Sequence, residues 1–281
     1  MSYTTERTNA DVLTVRIDEV KAGWEQWFLL TSDVHWDNPH CDRALYKRHL
    51  DQAVERKAGI FCFGDFFCCM GGKYDPRSNK EGIRPEHQVA NYFDALIDTA
   101  GDYLEPYKGN FVLLSPGNHE TAILKRQETN LTARLTHRLG VQSGGYAGFV
   151  RFLLSRGSSA RTSKTLFYHH GYGGGGPVTK GTIQTNRRAV WLPDAEIVCS
   201  GHVHEAWYLE VERQRVSLSG EPYIDTQYHL QLPTYKQEHT LAGGWHIERG
   251  APPKPLGAWW LRMHYDNSKR DAVGLEFTRA T

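Results

Sequence analysis

Short apolar runs alternate with segments of helical periodicity through the first half of the chain. The apolar runs occupy residues 27–31, 59–63 and 110–114. Their length suits buried strands. The helical segments occupy residues 42–57, 85–103 and 120–139. This alternation predicts an α/β fold, in which ligands bind beyond the carboxyl ends of the strands.

The second half of the chain is rich in strand patterns and poor in helix patterns. Strands are predicted over residues 148–154, 164–169, 195–199, 207–216, 258–265 and 272–277. Helix signals fade after Ala206, which favours a second sheet packed on the first. We therefore expect one domain over residues 1–281 with a motif-bearing core at about 24–210. The C-terminal strands of 206–281 are expected to complete the second sheet.

The composition argues against several classes of protein. The chain has 281 residues, 40% of them hydrophobic, yet no apolar run approaches the roughly 20 residues that a membrane helix needs. The polar N-terminus lacks the apolar core of a signal peptide, so we expect a cytoplasmic protein. The five cysteines are odd in number and form no CxxC pair, which argues against a disulfide framework and a zinc knuckle.

Five short polar motifs occur in one order along the chain, each directly after a predicted strand. They are Asp33-Val34-His35, Gly64-Asp65, Gly117-Asn118-His119-Glu120, His170-Gly171 and Gly201-His202-Val203-His204. Strand alternation predicts that Asp33 and His35 lie on one side of the backbone, and His202 and His204 repeat that spacing. Asp, Asn and His offer the oxygen and nitrogen ligands of a two-metal site, which is suited to attack on phosphorus.

The order D-x-H, G-D, G-N-H-[DE], H and G-H-x-H resembles that of the calcineurin-like metallophosphoesterase superfamily. The likeness spans Asp33 to His204, which is most of the chain. It implies a four-layer α/β/β/α sandwich of two mixed β-sheets flanked by helices. It also implies two divalent metal ions, with Mn favoured and Fe, Zn, Co, Ni or Mg as alternatives. The chain is similar to stand-alone phosphoesterases encoded by phages, which would place it in the host cytoplasm.

The resemblance assigns a metal-binding role to seven residues. The first ion would be held by Asp33, His35 and His204. The second ion would be held by Asn118, His170 and His202. Asp65 would bridge the two ions, because a carboxylate offers two oxygens. His169 adjoins His170, and the family's habit of placing Gly after this histidine favours His170, although the choice between the two stays open.

The resemblance also implies a mechanism. A hydroxide that bridges the two metals would attack the phosphorus, and His119 would act as general acid on the leaving oxygen. Glu120 is expected to hold the His119 imidazole in the required tautomer. Asp65 counts as catalytic as well, through the ions that it bridges.

Basic residues near the motifs are candidates for substrate binding. The candidates are Lys73, Arg77, Lys180, Arg187 and Arg188. Residues 121–193 contain eleven Lys or Arg and a single acid, Glu128. Such a stretch would attract a polyanion such as DNA or RNA. The alternative is a solvated surface whose charges are scattered over several faces.

The motif surroundings narrow the substrate class. The protein phosphatases of the superfamily carry Asp-Arg-Gly soon after the G-D motif, and the purple acid phosphatases carry a ligand tyrosine there. This chain has Phe66 and Phe67 at that point, so both classes are disfavoured. We expect a hydrolase that acts on phosphodiesters, either a nuclease or a nucleotide phosphodiesterase. The alternatives are a small-molecule phosphomonoesterase, or a catalytically silent metal-binding scaffold for a protein partner.

Overall fold

The computed structural model describes residues 3–71, 75–157, 160–176, 178–239, 245–248 and 250–281. The strands are β1 (Tyr3–Arg7), β2 (Val12–Ile17), β3 (Glu25–Thr31), β4 (Gly59–Phe63), β5 (Phe111–Ser115), β6 (Ala147–Arg156), β7 (Ala160–His169), β8 (Ile197–Ser200), β9 (Trp207–Val216), β10 (Pro222–Gln231), β11 (Ala258–Tyr265) and β12 (Val273–Ala280). The helices are α1 (Arg43–Glu55), α2 (Tyr92–Leu104), α3 (Asn118–Gln127), α4 (Leu131–Leu139), α5 (Ile183–Trp191) and α6 (Trp245–Glu248).

The described strands form two mixed sheets. The five-stranded sheet has the order β12-β11-β3-β4-β5, in which β3, β4 and β5 are parallel. The seven-stranded sheet has the order β1-β2-β6-β7-β8-β10-β9, in which β7, β8 and β10 are parallel. The apolar runs at β4 and β5 are buried on both faces, as expected for strands that are covered by layers on both sides.

Three apolar clusters of described residues pack between and on the two sheets. Leu50 of α1 and Leu96 of α2 pack against the outer face of the five-stranded sheet. Phe28 and Phe152 meet between the two sheets, with ring centroids 5.0 Å apart. Burial of each such ring contributes about 1.5–3 kcal/mol to stability. Leu192, at the end of α5, packs on the outer face of the seven-stranded sheet. Two mixed sheets flanked by helices confirm the predicted fold class.

The last two strands occupy a different sheet from the one expected. β11 pairs antiparallel with β3, and β12 pairs with β11, so both belong to the five-stranded sheet. Only β9 and β10 extend the seven-stranded sheet. The prediction that residues 206–281 complete the second sheet was therefore wrong for its last third. Strand periodicity predicts which residues are buried, but it does not specify the neighbouring strand.

Several elements differ from their predicted extents. The helix expected over residues 120–139 is two helices, α3 and α4, because the chain turns at Glu128, whose φ is 54°. The helix expected over 85–103 begins only at Tyr92, after a 3₁₀ turn at 85–87. Strands β1, β2 and β10 and helix α5 were not predicted from the sequence patterns. Among the described residues, no helix is long and apolar enough to cross a membrane.

Candidate metal centre

The five motifs converge where the carboxyl ends of strands from both sheets meet. Three motifs follow the parallel strands β3, β4 and β5, and two follow the parallel strands β7 and β8. The contact between the two sets is direct, because His170 Nε2 lies 3.1 Å from Asp65 Oδ2. The carboxyl ends of parallel strands are where α/β sheets place their ligands.

The first donor group consists of Asp33, His35 and His204. His204 Nε2 lies 3.1 Å from both Asp33 Oδ1 and His35 Nε2. His35 Nε2 is 4.0 Å from the same Asp33 oxygen. Asp33 and His35 are buried, and His204 is partly exposed. These three residues are the set that the resemblance assigned to the first ion, and their ligand atoms could hold a metal.

The second donor group consists of Asp65, Asn118, His170 and His202. Asn118 Oδ1 lies 3.0 Å from His170 Nε2 and 2.7 Å from His202 Nδ1. The ligand atoms of Asp65, His170 and His202 also lie close enough to hold a metal. Asn118 is the first residue of α3, so the positive end of the helix dipole points toward the group.

Of the two adjacent histidines, it is His170 that lies with the other predicted ligands. Its ring is fully buried, and Nδ1 donates to the Phe63 carbonyl at 3.0 Å, which leaves Nε2 facing the second group. His169 instead accepts a hydrogen bond from the backbone N–H of Gly171 at 2.9 Å. The ring of His169 packs edge-on against Tyr146. His169 is the last residue of β7 and His170 follows it, and the hydrogen bonds of the two rings, more than their packing, distinguish them, because His170 also stands edge-on to Tyr146.

Left-handed backbone, and not strand alternation, aims most of the ligands. Positive φ angles occur at Asp33 (53°), His35 (51°), Asp65 (50°), His202 (73°) and His204 (53°). Such conformations cost of order 1–3 kcal/mol at non-glycine residues and persist where surrounding contacts impose them. One such contact is the N–H of His202, which donates to Asp33 Oδ2 at 2.9 Å. Strand alternation was expected to place Asp33 and His35 on one side of the backbone. This explanation was wrong, because both residues lie beyond the end of β3.

The motif glycines stand where ligands pack against the backbone. A Cβ added at Gly117 would collide with the side chain and backbone nitrogen of Asp65. A Cβ at Gly201 would collide with the side chains of Ser32 and Asp33. Glycine at both positions therefore allows the strand ends to approach each other closely.

The buried carboxylate of Asp65 is stabilised by positive charge on its neighbours. Burial raises the pKa of Asp65, but His170 and His119 hold that pKa well below its usual range. Burial lowers the pKa of His170, but Asp65 outweighs it and raises the value to about 10. Burial, His119 and His204 together hold the pKa of His35 well below its usual value. A buried carboxylate thus retains its charge by drawing a proton onto a neighbouring ring, a role that a divalent cation can take.

His119 lies at the edge of the centre, on the first turn of α3. Its Nε2 is 3.8 Å from Asp65 Oδ2, and its backbone N–H donates to Asp65 Oδ1 at 2.9 Å. Its Nδ1 lies at hydrogen-bonding distance from the Cys68 carbonyl. A carbonyl only accepts, so Nδ1 carries a proton and Nε2 is the atom that can exchange one. Burial lowers the pKa of His119.

Glu120 does not hold the His119 ring, contrary to the sequence-based expectation. One Glu120 oxygen accepts from the N–H of Phe67 and the other from the N–H of Gly117, both at 2.8 Å. Burial, followed by the charge of Asp65, raises the pKa of Glu120 to about 8. Glu120 therefore fastens the loop after β4 to the start of α3. The tautomer of His119 is set by a backbone carbonyl, which a sequence motif does not reveal.

The predicted substrate-binding residues are dispersed. Lys73 lies outside the described residues. Arg77 is paired with buried Asp75 at 2.8 Å, and its charge lowers the pKa of His119, so it lies near the centre. Lys180 and Arg187 are exposed, at the end of the glycine-rich segment and on α5. Arg188 is buried and donates to Ser200 Oγ; burial lowers its pKa.

Many cations of the basic stretch are neutralised in the fold. Arg134 pairs with Asp94, and Arg138 pairs with Asp98 and Asp102, all three carboxylates being on α2. Further pairs are Arg126 with Asp75 and Lys164 with Asp271. The acids come from outside residues 121–193, so the charge asymmetry along the sequence is partly cancelled in space. This weakens the electrostatic argument for a polyanion.

Asp37 and Lys236 lie near the centre, although no sequence motif predicted a role for either residue. Asp37 is buried and accepts from the N–H groups of Cys68 and Cys69, so it holds the loop after β4 against the loop after β3. Lys236 pairs with Glu238 at 2.9 Å, and its charge lowers the pKa of both His35 and His119. No motif marks Lys236, whose segment reaches the site through tertiary contacts alone.

The donor set fits divalent cations. Within the described ranges, Asp33 and Asp65 have only histidines, and no Lys or Arg, at ion-pair distance. Imidazole nitrogens therefore face carboxylate and amide oxygens in two adjoining groups. Mixed nitrogen and oxygen ligation is typical of Mn, Fe, Co and Zn.

No protein-family model matches the sequence, and no curated protein matches it either. Among solved structures, a conserved uncharacterised protein from Streptococcus pneumoniae, described as a predicted phosphoesterase, is 13% identical with a TM-score of 0.33, over 92% of each chain. Zn-complexed Vps29 from Entamoeba histolytica is 10% identical with a TM-score of 0.37, over 91% of this chain and 100% of its own. A putative 5'-nucleotidase from Staphylococcus aureus, in complex with α-ketoglutarate, is 13% identical with a TM-score of 0.43, over 92% of this chain and 54% of its own.

These likenesses are distant in both identity and superposition. The resemblance to the calcineurin-like metallophosphoesterases therefore depends on the order of the five motifs, on the two-sheet fold and on the geometry of the two donor groups.

Proposed function

We propose that this chain is a metal-dependent phosphoesterase of the calcineurin-like type and that it hydrolyses phosphodiesters. The observation that carries the proposal is the pair of adjoining donor groups, with His119 Nε2 3.8 Å from Asp65 at their edge. A site for two cations beside a residue that can exchange a proton suits hydrolysis of a phosphate ester.

The seven predicted ligands divide between two ions. Asp33, His35 and His204 would hold one ion. Asn118, His170 and His202 would hold the other, and Asp65, whose carboxylate contacts His170, would serve as a ligand to both. When bound, two divalent ions would supply a water of lowered pKa and positive charge for the phosphate oxygens. Manganese is our first choice of metal.

His119 is positioned to act as the general acid that protonates the leaving oxygen. The Cys68 carbonyl fixes one proton on Nδ1, so the proton for the leaving group would be taken up on Nε2, the atom that faces the centre. Transfer of that proton to the leaving oxygen avoids the expulsion of a strongly basic alkoxide. Such general acid catalysis is typically worth roughly 10²–10⁴-fold. It matters most for alkyl and nucleoside esters, which are poor leaving groups.

Positive charge around His119 suits a phosphate-bearing substrate. The amino end of α3 lies at the centre, and helix amino ends favour anions. Arg77 and Lys236 both lower the pKa of His119, although each is also paired with a carboxylate, Asp75 and Glu238 respectively. Exposed Lys180 and Arg187 are available farther out. We infer that the substrate is a nucleotide or a nucleic acid, in which the scissile phosphate is flanked by further polar groups.

The first test is hydrolysis of bis-p-nitrophenyl phosphate and of p-nitrophenyl phosphate by the Mn²⁺-loaded protein. Asp65→Asn is the control, because it keeps the shape of the side chain and removes its charge. We expect turnover of the diester to exceed that of the monoester, and to vanish in Asp65→Asn. Equal rates for the wild type and Asp65→Asn would instead indicate a metal-binding scaffold.

The second test is a substrate panel at two salt concentrations. The panel contains single- and double-stranded DNA, RNA, cyclic nucleotides and dinucleoside polyphosphates. If a polymer is the substrate, its apparent affinity falls steeply with salt, because bound counterions are released. A nucleotide substrate shows a much weaker salt dependence. Preference for a phosphomonoester over every member of the panel would overturn the diester assignment.

A further inference from the structure

A third group of possible ligand atoms lies beside the two donor groups already described. It consists of His35, Cys68 and His119, whose ligand atoms all lie within 4.8 Å of one another. A tetrahedral zinc ion with ligands at about 2.0–2.3 Å holds them roughly 3.5 Å apart. Small side-chain movements would therefore bring this group onto a single ion.

The thiol is held in place by the loops of the site. Cys68 is buried, and Asn38 Nδ2 donates to its sulfur at 3.3 Å. The backbone N–H of Cys68 donates to Asp37 Oδ1, and its carbonyl accepts from His119 Nδ1. The same backbone unit thus fixes the thiol and aims Nε2 of His119 into the site.

The group shares one residue with the first donor group. His35 lies with Asp33 and His204, and it also lies with Cys68 and His119. Its ring stands edge-on to the His119 ring, with centroids 5.0 Å apart, and to the His204 ring at 5.1 Å. Its Nδ1 is buried and has no hydrogen-bond partner among the described residues. An ion that recruits His35 toward the thiol would compete with an ion held by Asp33 and His204.

The two alternatives differ in the kind of cation that they prefer. The first donor group offers a carboxylate and two imidazoles, which suit Mn²⁺ and related ions. The third group offers a thiol in place of the carboxylate, and thiolates favour softer ions such as Zn²⁺ and Cd²⁺ over Mn²⁺. Binding converts the thiol to a thiolate and releases one proton to solvent.

We propose that His35, Cys68 and His119 form a third site, for a thiophilic divalent cation of the Zn²⁺ class, which competes with the first donor group for His35. An ion bound there occupies Nε2 of His119 and draws His35 away from the first donor group. Its effect on catalysis, which rests on the function proposed above, is inhibition of a Mn²⁺-supported enzyme by excess Zn²⁺.

The direct test uses Co²⁺ and Cd²⁺ as probes of the metal-free full-length protein. A thiolate bound to either ion gives a charge-transfer absorbance in the ultraviolet, whether or not the protein is an enzyme. We expect this absorbance in the wild type and its loss in Cys68→Ser. Cys69→Ser is the matched control, because Cys69 is adjacent, equally buried and outside the three ligand groups, and it should keep the absorbance.

A second variant keeps the proposal testable if Cys68→Ser does not fold. His119→Gln keeps the thiol and removes one ligand from a partly exposed position. It should raise the Co²⁺ concentration at which the absorbance develops by at least about tenfold, since even outer-shell losses cost 10–100-fold. An absorbance that persists unchanged in Cys68→Ser, that is missing from the wild type, or that is indifferent to His119→Gln would overturn the site.

The inhibition test follows once turnover is established with Mn²⁺. Zn²⁺ is titrated against fixed Mn²⁺, and the inhibited rate is divided by the uninhibited rate of the same variant. The wild type and Cys69→Ser should lose activity at similar Zn²⁺, whereas Cys68→Ser should need at least about tenfold more. Identical curves for all three proteins would reject the inhibitory role while leaving the absorbance result to decide the binding site.

Discussion

The two donor groups of the centre differ in how firmly their histidines are held. In the second group, His170 Nδ1 donates to a strand carbonyl at 3.0 Å, and the Asn118 amide oxygen faces two ring nitrogens at the start of a helix. In the first group, His35 has no partner for Nδ1 among the described residues and lies within reach of a competing thiol.

This difference indicates different tasks for the two positions. A histidine whose second nitrogen is hydrogen-bonded has a fixed tautomer and orientation, which raises its affinity for a metal. We therefore expect the second group to bind its ion tightly. The first group is expected to exchange its ion more readily and to be more sensitive to the identity of the metal.

Replacement of Asp65, the proposed bridge between the two ions, should have the largest effect. Asp65→Asn removes the only carboxylate of the second group, which is also the proposed bridge. Both ions should therefore bind more weakly, and turnover should fall to background. Metal content after dialysis, measured by mass spectrometry, checks the binding part. Two tightly retained ions in Asp65→Asn would show that the groups do not share this residue.

Replacement of the proton donor should separate chemistry from metal binding. His119→Ala should lower turnover by roughly 10²–10⁴-fold on diesters with alkyl leaving groups. The loss should be much smaller on bis-p-nitrophenyl phosphate, whose leaving group needs no proton, and the second-group ion should be retained. Equal losses on both substrates would remove His119 from the role of general acid.

A methyl group at the glycine before Asn118 should damage the second group selectively. Gly117→Ala places a Cβ against Asp65, and overpacking of this kind costs about 1–3 kcal/mol. We expect a lower Tm and a weaker second-group ion. Gly109→Ala is the matched control, since nothing lies within 4 Å of its added Cβ. If Gly117→Ala binds both ions as the wild type does, the second group is more adaptable than the structure indicates.

The smallest of these effects should be the pH dependence of the stability of the metal-free protein, in which His170 and His35 again differ. The folded pKa of His170 is raised to about 10, above the ordinary value of about 6.5, because Asp65 favours its protonated form over the cost of burial. Stability from this pair is thus fully present below pH ~6.5 and is lost as the pH rises toward 10. The pKa of His35 is lowered, so His35 is neutral in the folded protein over this range and does not cause a decline with rising pH.

Thermal unfolding after chelation, measured from pH 6.5 to 9.5, checks this expectation. The Tm of the wild type and of His35→Gln should decline over the range, whereas that of His170→Gln should decline less. Parallel declines in all three proteins would mean that the Asp65–His170 pair is not the source.

The sequence predicted the parts of the fold that depend on local patterns. The runs at β3, β4 and β5 and the strand at β9 were found because they are continuous apolar or alternating segments. The break between α3 and α4 was missed, because a single residue with left-handed φ at Glu128 ends a helix without Gly or Pro. The pairing of β11 with β3 was missed, because strand partners are distant in sequence.

The possible ligands could be identified from the sequence, because a metal site of this kind requires Asp, Asn and His side chains. Five motifs after five strand ends were enough to name them. The resemblance also divided them between two ions and favoured His170, whereas the contacts that distinguish His170 from His169 and the role of Glu120 were decided by the tertiary structure. So were the approach of Lys236 and the position of Cys68 beside His35 and His119. These depend on backbone angles and on contacts between loops far apart along the chain, which no local pattern of residues specifies.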